Sequence, residues 1–572
     1  MGQAARTGQY IFLWFCRLYM HCQRNVLGVN HRKACQSALI GLLLHVVCAS
    51  AAHGAFIEQL SVSTRAMSMG NAVSACPPGP MAIHYNPAGL SLLEDRVFSA
   101  GLGWPLKLEP TSRFSRNPDF DGFMGRKDDP LAGTEGTSSG GKMYLPVADR
   151  TVNGLLIPSV GMSFREPGSD WTLGFGIYVP YGVGFRHEGE DNPLRYGGNA
   201  IYQQRVVYAA PSLAYRVTET LSLGFTLTFG QTAQGAQLYL RAPNQMVAFT
   251  DVMGEMTADL DFLTGTGESG VMPLFGGGLP TYGSLGKLSL DVRDDWTTSY
   301  NIGVHWQPRR WLAFGGVYQS ASRSKMRGRY HIQYAEQWQN FTNWWGDNPL
   351  APITLPMAAV LGIPYASVPG QSGTCHVEWT HPQRVQLGVM LRPLLFLGWP
   401  FENWRFTVDY HWNNTSVVRK ERFVMDQDLQ ILEVARFLGY PGEANELTLK
   451  RKWKDVDHFS FGTEIQVHDR LVLRAGYEPR PTAIPKETYD LTLPIQSWDI
   501  YSLGAGVSVG SRLTIDAAFS YLKGRRFKIP NDTSSLMNST ELSGIIYNPY
   551  AGLDYEQDTE AYIVFVSATW SF

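Results

Sequence analysis

Along most of the chain, apolar and polar residues alternate with a period of two. Leu221, Leu223, Phe225, Leu227 and Phe229 alternate with Ser222, Gly224, Thr226 and Thr228, and Phe406, Val408, Tyr410 and Trp412 alternate with Thr407, Asp409, His411 and Asn413. Leu513, Ile515, Ala517, Phe519 and Tyr521 do the same, and the chain ends with Tyr562, Val564, Val566, Ala568, Trp570 and Phe572 on one face. Successive side chains of a strand point to opposite faces, so each run predicts a strand with one greasy and one mixed face.

Such runs number about fourteen. They start near Val97, Leu156, Trp171, Tyr202, Leu221, Leu285, Trp311, His376, Trp404, Leu449, Arg470, Gln496, Arg512 and Thr559. The segments between them alternate in length without a slip. Glu166–Asp170, Val217–Thr220, Pro308–Arg310, His468–Asp469 and Gly510–Ser511 are short; Glu109–Asn153, Arg241–Ser284, His331–Cys375 and Ile529–Asp558 are long. A soluble sandwich has no reason to sort its loops by length. A transmembrane antiparallel up-and-down β-barrel does, with tight turns on one side and long loops on the other. Backbone groups in lipid must all be paired, so the sheet has to close. An even strand count then leaves both termini in the periplasm. Trp171, Trp306, Trp311, Trp404, Trp498 and Trp570 suit interfacial aromatic girdles, although each also fits a loop-anchoring core position.

Composition agrees. Charged residues make up 17% and aromatics 12%, with 58 glycines, against about 25% charged in ordinary soluble domains. A net charge of −2 gives no electrostatic case for nucleic acid. No apolar run reaches the roughly 18 residues of a spanning helix. Residues 1–54 read as a signal peptide. Arg6, Arg17, Arg24, Arg32 and Lys33 precede an apolar run from Ala38 to Val47, small residues follow, and Met20 is an alternative start. Outside that leader only Cys76 and Cys375 remain, either as a disulfide or as two unpaired thiols.

Residues 55–92 differ from everything after them. They are rich in Ser, Gly, Ala, Met and Pro and hold neither period, so they cannot build a core alone. Two runs stand out, Met67-x-Met69-Gly70-Asn71-Ala72 and Ile83-His84-Tyr85-Asn86-Pro87-Ala88-Gly89-Leu90. They resemble the N-terminal hatch of the FadL/TodX family of outer-membrane transporters for long-chain fatty acids and other hydrophobic compounds. The resemblance continues through Gly174–Phe185, Arg195-Tyr196-Gly197, Ala210–Val217 and Leu221–Gly224, and departs at Cys76-Pro77-Pro78-Gly79-Pro80. It implies a plug inside a barrel of residues 93–572, with Asn86, Pro87, Ala88 and Gly89 as the hatch motif.

Pro180, Tyr181 and Gly182 break the third strand. Pro has no N–H for a ladder, so a bulge or a kink at the membrane edge is expected; the resemblance implies a lateral opening. Two loops are apolar. Phe341–Pro364 carries Trp344 and Trp345, and Phe423–Gly439 places Leu432 and Phe437 at helical spacing. They form either a capture groove or a mutual packing. A carboxylate ligand needs a cation, for which the mixed faces offer Arg392 and Arg474; nearby Asp409, Glu464, Glu478 and Asp516 fit plain ion pairs as well. Gly136–Gly140 matches a nucleophile elbow by letters but lacks its strand-turn-helix context, and Asp291, Asp294 and Asp295 lack calcium-loop spacing. The expectation is a monomeric, non-enzymatic conduit in the outer-membrane lipid. It carries a fatty acid or hydrocarbon passively and has no cofactor, metal or nucleic-acid partner. A general porin and a lipid-acting barrel enzyme are the alternatives.

Overall fold

The computed structural model describes residues 61–572 apart from 127, 139–140, 146–148, 188, 190, 243, 257–273, 281–282, 400–401, 438–439 and 532–547. The signal segment, hatch residues 55–60, and Leu438 and Gly439 of the second apolar loop lie outside the described residues. Fourteen antiparallel strands close into one barrel. In chain order they are β1 (Arg96–Arg116), β2 (Ile157–Arg165), β3 (Trp171–Arg186), β4 (Ala200–Ala209 and Ser212–Arg216), β5 (Leu221–Leu240), β6 (Gly286–Arg309) and β7 (Leu312–Gln319 and Ser322–Tyr334). Then follow β8 (Gly370–His381 and Arg384–Leu391), β9 (Trp404–Asn413 and Lys420–Met425), β10 (Glu446–Lys450 and Val456–His468), β11 (Leu471–Arg480), β12 (Trp498–Val509), β13 (Leu513–Gly524 and Phe527–Ile529) and β14 (Leu553–Ser571). Closure runs from Val97 opposite Ser571 to Arg116 opposite Leu553.

The greasy faces point outward. Leu223, Phe225, Ile302, Leu387 and Val566 are exposed, while Ser222, Thr226, Thr407 and Asp409 are buried within. This reverses the sense of a soluble sheet, because the outer solvent is hydrocarbon. Trp171, Trp306 and Trp570 stand exposed near the short turns, as a girdle requires. Trp498 does not. It is buried inside against Ile500, Leu522 and Ala561, because its position in β12 has the parity of inward-facing Ser502 rather than of the exposed Tyr501 and Leu503.

In β7 to β10 each strand breaks at the same level. The register places Gln319 opposite Arg384, Arg384 opposite Asn413, and Asn413 opposite Val456, each at a break. Across the break the facing parity changes: Ala313 and Val317 are buried below it in β7, and Ser322, Ser324 and Met326 above it. Below, the outward residues are apolar. Above, Arg323, Lys325, Arg327 and Glu378 face out and Met326, Tyr330, Val377 and Trp379 face in. The barrel therefore has a lipid-facing lower tier and an upper tier with the ordinary water-soluble pattern.

Candidate functional site

The hatch is threaded through the lower tier. Ser63 caps the helix Thr64–Ser68, and Gly70 and Asn71 then turn the chain with φ near +59°, a conformation Asn tolerates better than most residues. A side chain on several wall glycines would collide with hatch backbone. A Cβ on Gly224 would lie 2.2 Å from Ala88 N, on Gly315 2.0 Å from Ser74 O, and on Gly476 2.0 Å from Gly70 N. A Cβ on Gly303 would lie 2.1 Å from Asn86 Oδ1. These inward glycines sit on β5, β6, β7 and β11, so the seat encircles the plug.

Asn86, Pro87, Ala88 and Gly89 do come together as a clamp. The Asn86 amide donates to Ser74 O at 2.8 Å and to Val304 O of β6 at 2.9 Å, and its Oδ1 accepts from Ala88 N at 3.2 Å. Asn86 is thus the N-cap of the short 3₁₀ turn Pro87–Leu92, with Pro87 at its first position. A Cβ on Gly89 would strike Pro77 at 2.5 Å, so the proline-rich departure packs directly on the motif.

Wall carboxylates hold the hatch from the other side. Asp409 accepts from Ser74 N at 2.7 Å, Glu478 from Asn71 Nδ2 at 2.7 Å, and Glu464 pairs with Arg65 at 2.9 Å. Arg474 joins the last group, bonded to Glu464 at 2.7 Å and Asp516 at 2.6 Å. The ion-pair alternative for Arg474 is therefore the arrangement present. Arg392 pairs with Glu402 at 2.7 Å. His411, His458 and Glu478 bring ligand-type atoms within 4.8 Å of one another. Hydrogen bonds already engage most of those atoms: Ser460 and Arg384 with His411, and Asn71, His458 and Arg480 with Glu478.

The interruption in β3 is a bulge. The β2–β3 ladder ends with Ser159 opposite Tyr178, and the β3–β4 register jumps from Tyr178–Val207 to Tyr181–Arg205, skipping Val179 and Pro180. The skipped residue lets Tyr178 and Tyr181 both face the lumen. Pro180, Tyr181 and Gly182 are all buried, and burial is unbroken from Tyr178 to Phe185 instead of alternating. Outside, a hairpin of the first long loop (Lys142–Leu145 with Arg150–Asn153) lies against β4. Tyr144 N donates to Gln204 Oε1 at 2.9 Å, and Gln204 Nε2 donates to Tyr144 O at 2.6 Å.

Beside the bulge is a lumenal cavity lined by residues including His84, Tyr178, Pro180, Tyr181, Arg205 and Arg384. Arg205, which sequence reasoning passed over, is 9% exposed. It donates to Ser299 Oγ at 2.8 Å and has no carboxylate partner among the described residues. Its Nε has no hydrogen-bond partner among the described residues, nor has Trp379 Nε1 or His84 Nε2 on the same cavity. Burial, then the charges of Arg384 and Arg205, push the His84 imidazole down to about 3, so it is neutral. Above lies an apolar chamber walled by Ile201, Leu290, Phe423, Met425, Leu447 and Leu493 among others.

At the long-loop end, Trp344, Trp345 and Leu432 are all buried, within one large apolar cluster that fills the upper barrel. Phe437 is 47% exposed, and the helix Ala351–Leu361 shows Ile353, Met357 and Val360 to solvent. Cys76 and Cys375 are both free thiols.

Comparison with known proteins agrees with this geometry. The profile of a family described as outer membrane protein transport protein (OMPP1/FadL/TodX) matches residues 43–572. A Pseudomonas aeruginosa FadL homologue superposes with a TM-score of 0.62 at 16% identity, over 91% of this chain and 100% of its own. The Pseudomonas putida toluene transporter TodX gives 0.54 at 16% identity, over 90% and 99%. The Ralstonia pickettii toluene transporter TbuX gives 0.51 at 16%, over 90% and 99%. No curated protein sequence matches the chain. With a plugged fourteen-strand barrel and a family profile covering it from end to end, this chain belongs to the FadL/TodX family of outer-membrane transporters of hydrophobic compounds.

Proposed function

We propose that this member carries an amphiphile with a long apolar tail and a carboxylate, a long-chain fatty acid rather than an aromatic hydrocarbon. The observation behind this is the buried Arg205, unmatched by any acid among the described residues, at the foot of an apolar chamber. Burying an uncompensated guanidinium is costly, and a carboxylate ligand relieves that cost with charge-assisted bonds. A toluene-like molecule does not. The exposed apolar helix Ala351–Leu361 and Phe437 collect the tail from outside, with Trp344, Trp345 and Leu432 as the packed base beneath them. The chain enters the apolar chamber and its head group reaches Arg205.

A shift of the hatch at Asn86–Gly89 then frees the molecule sideways past Pro180–Gly182, with the Tyr144 hairpin moved off the wall. Arg474 serves the hatch latch. Transport is passive and a single barrel suffices, with the long loops outside and the termini in the periplasm. An apolar chamber of this kind suits a general porin poorly, because porin lumens are polar.

The test is binding of a long-chain fatty acid, the matching alcohol and toluene to the purified protein and to Arg205→Gln. Charge-assisted bonds contribute about 1.5–3 kcal/mol, so the acid should lose roughly 10- to 150-fold in affinity while the alcohol and toluene change little. Equal losses for acid and alcohol, or toluene bound tightest by the wild type, would defeat the assignment.

A further inference from the structure

The outer wall above the break in β7 carries a ladder of cations. Arg323, Lys325, Arg327 and Arg329 occupy alternate, exposed positions, so all four project from the same face over about 20 Å of strand. Lys325 and Arg327 lie level with Glu378 and His376 of β8, and Arg327 and Arg329 with Arg293 and Asp291 of β6. None of the four has an ion pair among the described residues. Two of the nearby acids bond elsewhere: Asp291 accepts from the Tyr202 hydroxyl at 2.6 Å, and Asp294 from the backbone N–H groups of Lys325 at 2.7 Å and Trp296 at 3.1 Å. The third, Glu378, is exposed opposite Lys325, which leaves the face with a net positive charge.

The position of this ladder is as informative as its charge. Trp296, 75% exposed on β6, marks the water interface of the lipid band, since aromatic belts sit at headgroup level. The Asp294 contact with Lys325 puts the first cations beside that tryptophan. Below it the same face of β6 presents Tyr300, Ile302, Val304 and Trp306, all exposed. An amphiphile whose tails lie against this lower wall therefore holds its head group against the four cations.

We infer that the Arg323–Arg329 face binds the phosphorylated headgroup of an outer-leaflet glycolipid, whose acyl chains pack on the apolar wall beneath. Arginine matches phosphate oxygens bidentately, and basic clusters next to a membrane surface attract anionic headgroups. The inference rests on the reading that the long-loop side faces outward. It does not involve the lumenal cavity.

The test uses full-length protein in nanodiscs containing a bis-phosphorylated glycolipid, its enzymatically dephosphorylated form, or phosphatidylethanolamine alone, with retained lipid counted by native mass spectrometry. The quadruple variant Arg323→Gln, Lys325→Gln, Arg327→Gln, Arg329→Gln should retain the phosphorylated glycolipid at least tenfold less than wild type. Wild-type retention should fall with salt, as charge screening demands. The dephosphorylated lipid should be held equally poorly by both. A control variant with Arg116, Arg436, Lys452 and Lys454 all changed to Gln removes the same charge from exposed positions outside this face and should keep the lipid. So should Arg205→Gln, which separates this test from that of the transport reading. Resistance of the folded barrel to heat in detergent gels verifies folding of each variant. Undiminished retention by the quadruple variant, equal loss in the control, or binding of inorganic phosphate without preference for the intact glycolipid would overturn the inference.

Discussion

Asn86→Ala should loosen the hatch without harming the barrel. The side chain is fully buried and makes two outgoing hydrogen bonds, to Ser74 O and Val304 O, and one incoming bond from Ala88 N. At about 0.5–1.5 kcal/mol for each outgoing bond and about 1 kcal/mol for the cap, removal weakens the ordered, docked hatch by about 2–4 kcal/mol, of which only the bond to Val304 O crosses to the wall. At 1.4 kcal/mol per decade the population in which the segment is open rises about 30- to 700-fold. Asn86→Asp sharpens the point. It keeps the capping oxygen and nearly the same volume but turns two donors into acceptors facing carbonyls, so it should be at least as disruptive as Ala. Amide exchange of the peptide covering residues 71–92 reads the docking equilibrium directly, and planar-bilayer conductance reads its effect on the pore. Exchange in β5 and β6 should not change. Unaltered protection of 71–92 in both variants, or an Asp variant that behaves as wild type, would refute the clamp.

Two other outcomes are expected. Between the His84 pKa of about 3 when docked and its ordinary 6.5 in water, an undocked hatch binds more protons. Docking is therefore fully stable above about pH 6.5 and weakens on acidification toward pH 3 by about 1.4 kcal/mol per unit; amide exchange of 80–92 at pH 7 and pH 5 should show this, and His84→Gln should flatten it. Replacing Pro180 and Gly182 by valine restores the missing N–H at position 180 and adds bulk at both positions, so fatty-acid uptake should fall severalfold while equilibrium binding at Arg205 persists; undiminished uptake would exclude exit at the bulge.

The sequence displayed the barrel well because two independent signals coincide, alternation of period two and alternation of loop length, and both survive local irregularities. The hatch motif was legible through its resemblance to a known family, since its residues alone read only as a turn; the contacts that make Asn86 and Gly89 hard to replace belong to the folded plug. Arg205 was hidden because β4 above the bulge is buried on both faces, so Gln203-Gln204-Arg205 shows no amphipathic contrast. Trp498 misled through parity, since a tryptophan near a strand end looks the same whether it faces lipid or lumen. Leu432 and Trp344 read equally as capture or packing residues because helical spacing fixes which side is apolar, not what covers it. The wall glycines were the least visible of all. In a strand Gly reads as a weak position, and only the approach of another backbone reveals its use.

That bare backbone seat has a mechanical consequence. A plug resting on side chains can creep by rotamer changes, a few tenths of an ångström at a time. Here main chain lies on main chain at Gly224, Gly315 and Gly476, and neither surface has a torsion to spare. Movement of the stopper should accordingly be all-or-none, a segment lifting away as a body, and a ligand must supply its push at one end of that segment instead of easing it aside along its length.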